Sequence, residues 1–289
     1  MYGMTVRELE GVSSGAGFVE SLAEGALDSL EPPRSTPDLP AYLEMALRGG
    51  FPEAALRLRG HERTVWLDGY LDQILTRDAI GANGRDPARL RRYFEALALN
   101  SAGLAEDKTL YDAVGIDRRT ALAYERLLVN LMMLELVPAW LTNRLSRLVK
   151  APKRYLTDPS LVGSALRLDV RTAMRDGDLF GRLLDTFVAS QLRPEAALST
   201  RRFRLHHLRE RNGRHEIDVI AELGAHEVVA IEVKATAAPS ADDARHLAWL
   251  RDKLGDRFVG GAVLHVGSRR FSLGPKLFAL PICTLWGRR

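Results

Sequence analysis

Two acidic residues and a lysine lie close together in one apolar stretch of the sequence. Asp218 is followed, after thirteen intervening residues, by Glu232, Val233 and Lys234, and the surrounding run is rich in β-branched residues. Carboxylate oxygens are the ligands that magnesium prefers, and an ammonium group stabilises negative charge that develops on a phosphate. These residue types therefore suit metal-assisted phosphodiester chemistry, provided that the fold brings them together.

The spacing predicts a hairpin that would do so. Residues 216–222 alternate polar and apolar, residues 228–233 favour a strand, and Gly224 lies between them. With a three-residue loop at 224–226, Asp218 lies directly opposite Glu232, with the two Cβ atoms about 5 Å apart. Because side chains alternate along a strand, Glu232 and Lys234 share a face. A four-residue loop would shift the pairing and separate the carboxylates.

An ordinary cross-strand ion pair on a solvated edge is the competing interpretation of these residues. The apolar neighbours of the two carboxylates favour the metal site, because unpaired carboxylates among buried residues are costly. Glu216 is expected on the face of Asp218, either as a further acid or as a partner for Lys234. His246, in the next predicted helix, is expected to approach the site or to contact phosphate, with simple solvation as the alternative.

The composition limits the classes of protein to which this chain can belong. The chain has 289 residues, of which 46% are hydrophobic, enough for two or three domains with cores of their own. Its single cysteine, Cys283, excludes an internal disulfide framework and fits a reducing compartment. Asn130 and Glu135 interrupt the longest apolar run, so neither a membrane span nor a membrane partner is expected. We therefore predict a cytoplasmic protein.

The charge balance is a weak indicator of partners. The formal net charge is +4 and arginine dominates the basic residues. Such a balance permits nucleic-acid binding without requiring it.

The organisation along the chain is predicted in four parts. Residues 1–40, rich in Ser, Gly and Pro, are expected to be a flexible segment. Residues 41–86 form a helical region and residues 87–165 a winged-helix domain, in which Pro87 starts one helix and Asp117 caps another. Strands are expected at 137–140 and 147–157 as the wing. Residues 175–289 form an α/β domain, with helices at 179–192 and 241–254, the latter capped by Ser240, and strands at 203–208 and 261–266 around the hairpin.

A winged helix suggests DNA contacts from its second helix and from its wing. The alternative is that this module packs against another domain and that its basic residues are a solvated face. The residues predicted to contact nucleic acid, together with His246, are Arg118, Arg119, Thr120, Arg126, Lys150, Lys153 and Arg154.

The order Asp, then Glu-x-Lys, resembles the core motif of the PD-(D/E)XK nuclease superfamily, whose fold is restriction-endonuclease-like. The resemblance implies that Asp218, Glu232 and the Val233 carbonyl hold magnesium or manganese, and that Lys234 is the general base or an electrostatic partner. It also implies a further acid from the helix before the sheet. Asp185 occupies that place, where related sequences mostly carry Glu.

The whole chain resembles the C-terminal part of prokaryotic AAA-type ATPases that carry a winged helix and a nuclease-like domain of unknown function. The motifs behind this resemblance are GGFPEA at 49–54, TRD at 76–78, RLVKAPKRYLTDPSL at 147–161, FGRLLDTFVASQL at 180–192 and the Asp218, Glu232 and Lys234 set. It implies an α+β multi-domain protein in which a helical, winged-helix part precedes an α/β, restriction-endonuclease-like domain.

The chain differs from this family in lacking the sequence motif of the ATPase core. The sequence contains no G-x-x-x-x-G-K-[ST] motif, and the nearest string, AGLAEDKT, places Asp107 where a glycine is required. No ATP hydrolysis is therefore expected. The first residues resemble the segment that follows the ATPase core, which predicts a natural truncation, an engineered fragment or a split gene. Self-association or a separate ATPase partner is compatible with this interpretation.

Three functions follow as hypotheses. The first is a magnesium- or manganese-dependent DNA nuclease, or a DNA-binding domain derived from one, with the winged helix orienting the duplex. The second is a non-catalytic DNA-binding or protein-docking module. The third is an inactive, truncated remnant.

Overall fold

The protein combines helices and two β-sheets. A computed structural model describes residues 2–12, 16–78, 86–103, 105–141, 150–210, 214–224 and 226–287. In chain order its α-helices are α1 (Val6–Leu9), α2 (Phe18–Ala23), α3 (Leu39–Arg48), α4 (Pro52–Leu56), α5 (Gly60–Gln73), α6 (Pro87–Leu99), α7 (Asp107–Val114), α8 (Arg118–Asn130), α9 (Pro159–Leu166), α10 (Val170–Ala173), α11 (Gly177–Leu198) and α12 (Arg245–Leu254). A π-helical turn at Ile74–Asp78 extends α5, and 3-10 turns occur at Leu27–Leu30, Ala241–Ala244, Gly255–Arg257 and Ile282–Leu285.

The strands fall into two sheets. They are β1 (Leu134–Val137), β2 (Lys153–Leu156), β3 (Phe203–Arg209), β4 (Glu216–Leu223), β5 (Glu227–Lys234), β6 (Phe258–His265), β7 (Phe271–Gly274) and β8 (Leu277–Pro281). β1 and β2 form a two-stranded sheet, and the other strands form a six-stranded sheet in the order β3-β4-β5-β6-β8-β7.

The chain divides into two compact units. The helical unit comprises Met1–Met4, Leu43–Leu136 and Lys153–Phe187, and the sheet unit comprises Thr5–Tyr42, Val137–Pro152 and Val188–Arg289. The predicted boundaries at residues 86 and 165 both fall inside the helical unit, and the four-part organisation stays a prediction. In the helical unit α9 contacts both α5 and α6, so the expected helical region and the expected winged-helix domain share one body.

Local capping signals in the helical unit act as the sequence predicts. Pro87 occupies the first turn of α6, and the Asp86 side chain accepts a hydrogen bond from the Ala88 backbone N–H. α7 ends at Gly115 with a φ of 68°, and Asp117 caps α8 by accepting from the Thr120 N–H. Two paired strands follow, as expected, although β1 and β2 lie at 134–137 and 153–156. Residues 142–149 of the predicted wing lie outside the described residues.

Two of the motifs quoted above meet at Asp158. Its Oδ2 accepts the Gly50 N–H at 2.7 Å, and its Oδ1 accepts the Ser160 N–H at 2.9 Å and the Ser160 hydroxyl at 2.6 Å. Gly49 has a φ of +67°, and a Cβ atom built there would collide with the Asp158 carboxylate and Ser160. Gly49 of GGFPEA thus allows the chain to approach the buried aspartate that starts α9.

The six-stranded sheet is mixed. β3, β4 and β5 are antiparallel neighbours, β5, β6 and β8 run parallel, and β7 returns antiparallel to β8. The predicted helix at 179–192 is longer, extending through Pro194 to Leu198, and the predicted strands at 203–208 and 261–266 are β3 and β6. β7 and β8 were not predicted, because each is short and neither alternates cleanly. An N-terminal helical part followed by a C-terminal sheet part agrees with the predicted α+β class.

Helices cover both faces of this sheet. Val228 and Ala230 of β5 share a buried cluster with Leu247 and Leu250 of α12. On the opposite face, α2 contacts β5 and β6, and a Cβ atom on Gly260 would lie 2.7 Å from the Leu22 carbonyl oxygen. Ser240 caps the turn that leads into α12 by a reciprocal capping box with Asp243, as the sequence predicts.

The described part of residues 1–40 is not a loose connector. Phe18, Val19 and Leu22 of α2 and Leu30 are each no more than 2% exposed, and they belong to the sheet unit. Ser, Gly and Pro between these apolar residues permit turns without preventing burial. The expectation of a flexible segment is corrected accordingly.

The described residues include no helix long and apolar enough to cross a membrane. Cys283 is a buried free thiol.

Candidate functional site

The hairpin that carries the predicted site has the expected three-residue loop. Leu223 pairs with Glu227, and the ladder continues to Val219 opposite Ile231. The ladder ends at that pair, so Asp218 lies just beyond the last residue of β4 that is paired with β5. Glu232 is on the face of β5 that packs against α12, because Val228 and Ala230, at alternate positions, belong to that buried cluster. On β4 both Ile217 and Ile220 belong to the cluster, because the pairing with β3 is irregular between them.

The three predicted groups meet at the end of β5. The Lys234 ammonium donates to Oε1 of Glu232 at 2.8 Å, and the Val233 N–H donates to Oδ2 of Asp218 at 3.0 Å. The side chain of Glu232 is 10% exposed and that of Lys234 is 35% exposed. The site is therefore half-open, with one carboxylate largely covered and an ammonium at its rim.

The electrostatics of Lys234 favour a charged amine. Burial alone would lower its pKa, but the charge and hydrogen bond of Glu232, followed by the charges of Asp218 and Asp243, outweigh this and raise it. A lysine with a raised pKa is protonated at neutral pH. Of the two roles implied by the resemblance, the electrostatic one fits this environment better than the general base.

Glu216 and His246 occupy the start of β4. The Glu216 carboxylate is 3.8 Å from the Arg209 guanidinium, which makes it an arginine partner. The His246 Nδ1 is 2.6 Å from the Glu216 carbonyl oxygen, and its Nε2 accepts from the Arg245 side chain at 3.1 Å. The Glu216 N–H also points to Nδ1, at 3.1 Å. His246 thus contacts the backbone two residues before Asp218.

Asp185 has partners of its own in the helical unit. Its Oδ2 accepts from the Lys153 ammonium at 2.5 Å, and its Oδ1 accepts from the Tyr155 hydroxyl at 3.1 Å. The residue is 7% exposed. The structure therefore gives Asp185 a buried ion pair, while Asp218 and Glu232 belong to the sheet unit.

Two of the predicted DNA contacts are buried, which corrects that expectation. Lys153 is 1% exposed and pairs with Asp185, and Arg154 is 5% exposed and pairs with Glu125 at 2.6 Å and Asp107 at 2.7 Å. Both charges are neutralised inside the helical unit, so neither side chain is presented to a duplex. Lys150 is exposed.

The basic residues of α8 are exposed to solvent, unlike Lys153 and Arg154. Arg118, Arg119 and Arg126 are exposed, and none forms an ion pair within the described part of the chain. Thr120 hydrogen-bonds to the capping Asp117 through its N–H at 3.0 Å and its hydroxyl at 2.7 Å. The three arginines therefore remain available for an anionic partner.

The oxygen ligands at the site of Asp218 and Glu232 are of the kind that a hard cation binds. Asp218 and Glu232 supply carboxylate oxygens and the Val233 carbonyl is adjacent, which matches the oxygen ligands of magnesium and manganese. Among the described residues, however, no group of three or more His, Cys, Asp or Glu side chains is arranged to hold a metal ion. The carboxylate ligands that the described residues offer at this site are those of Asp218 and Glu232, and the Lys234 ammonium lies beside them.

Two relevant features were missed from the sequence. The first is Asp243, whose charge helps to raise the pKa of Lys234. The pKa of Asp243 is itself lowered, mainly by hydrogen bonds from Ser240 and to a smaller extent by the charge of Lys234. Its position three residues after Ser240 signalled only a helix cap. The burial of β2 was also missed, although two adjacent cations before a tyrosine are unusual for a solvated wing.

Comparisons with known proteins give two matching families. A model described as a domain of unknown function (DUF8612) matches residues 39–172, and another described as a domain of unknown function (DUF4143) matches residues 180–285. The second is common in proteins associated with AAA ATPases. The two matched stretches agree with the order of a helical part followed by a sheet part.

Relatives extend over much of the chain. The uncharacterized protein Mb2031c of Mycobacterium bovis (strain ATCC BAA-935 / AF2122/97) is 27% identical over 237 residues, which cover 81% of this chain and 51% of that protein. The uncharacterized protein Rv2008c of Mycobacterium tuberculosis (strain ATCC 25618 / H37Rv) gives the same values. The chain thus spans about half the length of these curated relatives. No solved structure gives a significant match.

Proposed function

We propose that the sheet unit is a nuclease-like domain that acts on DNA phosphodiesters with magnesium or manganese. The observation that carries the proposal is the convergence of three charged groups at the same end of two neighbouring strands. Asp218 accepts the Val233 N–H at 3.0 Å, its charge acts on Lys234, and the Lys234 ammonium is 2.8 Å from Glu232. Under this proposal the fold is restriction-endonuclease-like, and the β1–β2 pair with α7 and α8 is a winged helix.

Each residue has a role that its surroundings support. Asp218 and Glu232, with the Val233 carbonyl, would hold the cation, which when bound would lower the pKa of a water and neutralise phosphate charge. Lys234, protonated at neutral pH, would bind and stabilise the anionic phosphate. Exposed Arg118, Arg119, Arg126 and Lys150 would contact the DNA backbone.

Cleavage of plasmid, linear and branched DNA with magnesium or manganese tests the proposal. We expect cleavage by the wild-type chain and its loss in Asp218→Asn, Glu232→Gln and Lys234→Met. Glu227→Gln is the matched control, since Glu227 lies at the other end of the same strand and pairs with Arg201. Calorimetric titration with manganese gives a second readout. Cleavage that persists in Glu232→Gln and Lys234→Met refutes these assignments.

A second function has a specific observation in its favour. Asp185 is held by Lys153 and Tyr155, so the helix acid implied by the resemblance already has partners. A site with two carboxylates can retain the shape of a nuclease while serving as a non-catalytic DNA-binding or protein-docking module. Salt-dependent DNA binding with no cleavage and no manganese affinity would select this function. An inactive remnant would show neither binding nor cleavage.

A further inference from the structure

The exposed face of α8 combines cationic and apolar side chains. Ala121, Tyr124, Glu125 and Leu128 are buried and face the interior of the helical unit. At 3.6 residues per turn, the residues opposite them form one continuous arc. This arc consists of Arg118, Arg119, Leu122, Arg126, Val129 and Asn130, all of which are exposed.

The arc carries no carboxylate. Glu125, the acid within α8, is 8% exposed and binds Arg154 on the covered side. Asp117, which precedes the helix, is hydrogen-bonded to Thr120. Among the described residues these three guanidinium groups form no ion pair, so they complement a polyanion and would repel a second copy of the same face.

Two apolar side chains lie between the arginines of this arc. Leu122 and Val129 are each 37% exposed and lie seven residues, or two helical turns, apart. In the major groove the thymine C5 methyl group is the apolar contact that such side chains recognise.

We propose that this face of α8 binds the major groove of duplex DNA and that Leu122 and Val129 contact thymine methyl groups. Arg118, Arg119 and Arg126 supply phosphate and guanine contacts on either side, and Asn130 is a donor and acceptor suited to adenine. The preferred ligand is thus a thymine-containing B-form duplex. The inference rests on the proposal that the chain acts on DNA, and it adds which groove and which base are read.

Replacing thymine by uracil tests this contact directly, because only the C5 methyl group is removed. Fluorescence anisotropy with the full chain and EDTA measures binding to a labelled A·T-rich duplex and to its deoxyuridine counterpart without cleavage. We expect the thymine duplex to bind about fourfold more tightly for each methyl group buried. Leu122→Ala should reduce this ratio, because one of the two aliphatic contacts with thymine methyl groups is then lost.

Two further variants separate the contributions. Arg126→Gln should weaken both duplexes equally and reduce the slope of log affinity against log salt by about one. Val65→Ala, at a side chain of α5 that is 55% exposed, should change nothing. Equal affinity of the wild type for the two duplexes, or an unchanged ratio in Leu122→Ala, overturns the inference.

Failure of the inference about α8 can be distinguished from failure of the proposed function. Thymine-dependent binding without cleavage in magnesium or manganese leaves the α8 inference standing and removes the nuclease. Cleavage with no preference for thymine removes the inference alone.

Discussion

The ammonium of Lys153 lies 2.5 Å from Oδ2 of Asp185, and the two side chains are 2% and 10% exposed. The hydroxyl of Tyr155, two residues along the same strand, donates to the other oxygen at 3.1 Å. Strand β2 therefore anchors the first half of α11 through a single buried carboxylate. This arrangement explains why a lysine and an aspartate from the quoted motifs occur in the interior, and it gives Asp185 a structural role.

Removal of either partner should destabilise the helical unit. Breaking a buried ion pair leaves an uncompensated charge, so Asp185→Ala and Lys153→Ala should each lower the free energy of unfolding by about 3–5 kcal/mol. Urea denaturation followed by circular dichroism measures this. Asp178→Ala, an exposed acid of the same helix, should cost less than about 1 kcal/mol.

The double variant Lys153→Met with Asp185→Leu tests the same pair differently. Replacing both charges by apolar groups should recover most of the lost stability. If Asp185→Asn instead leaves stability unchanged and abolishes manganese binding, Asp185 is the metal ligand that the resemblance implied.

The geometry of the hairpin was predictable because it depends on local rules. Alternation along 216–222 sets which side chains face the core, and the segment from Gly224 to His226 sets the loop length. Together these set the pairing from Leu223 opposite Glu227 to Val219 opposite Ile231, next to Asp218 and Glu232. The caps at Asp117 and Ser240 are local in the same sense, since each aspartate or serine contacts a residue three positions away.

The environments of Lys153 and Arg154 were not predictable in that way. Their partners Asp185, Glu125 and Asp107 are 32, 29 and 47 residues distant in the chain. A basic pair after a linker has the same local appearance in a solvated wing and in a buried strand. The same reasoning applies to α2, whose apolar residues are flanked by Ser and Gly and whose burial depends on β5 and β6.

The pH dependence of stability should reveal whether Lys234 is an ammonium at neutral pH. A folded pKa raised above 10.5 means that its stabilising contribution is complete at neutral pH and is lost only as the pH rises through the folded value. The difference in melting temperature between wild type and Lys234→Met should therefore stay constant from about pH 7 to pH 10 and shrink above it. Lys253→Met serves as the exposed control. A difference that declines between pH 7 and 9 would show a lowered pKa and support a general base.

Glu195 should make the stability of the sheet unit depend on pH in the same sense as Lys234 but in a lower pH range, because both folded pKa values are raised. Burial raises its pKa from 4.5 to about 7, even though hydrogen bonds from the Val19 and Phe18 N–H groups oppose the change. The folded state then binds more protons than the unfolded state between these values, so stability falls as the pH rises from about 4.5 to 7. Above pH 7 this contribution is constant.

Glu195→Gln should remove that dependence and still accept the Val19 N–H, which now lies 2.6 Å from the carboxylate. Urea denaturation of both proteins at several pH values measures the effect. Glu24→Gln, on the exposed end of α2, is the control. The quantity compared is the difference in the free energy of unfolding between the wild type and Glu195→Gln. A difference that stays constant between pH 4.5 and 7 would contradict the raised pKa.

Gly49 and Gly115 provide a matched pair that separates backbone strain from collision. Their φ values are +67° and +68°, but a Cβ atom at Gly115 meets nothing within 4 Å, whereas one at Gly49 would collide with Asp158 and Ser160. Gly115→Ala should therefore cost only the left-handed backbone penalty of about 1–2 kcal/mol. Gly49→Ala should cost more, because it also displaces the carboxylate that accepts the Gly50 N–H and starts α9. Urea denaturation of the two variants decides the matter, and equal losses would show that the contact between GGFPEA and Asp158 contributes little to stability.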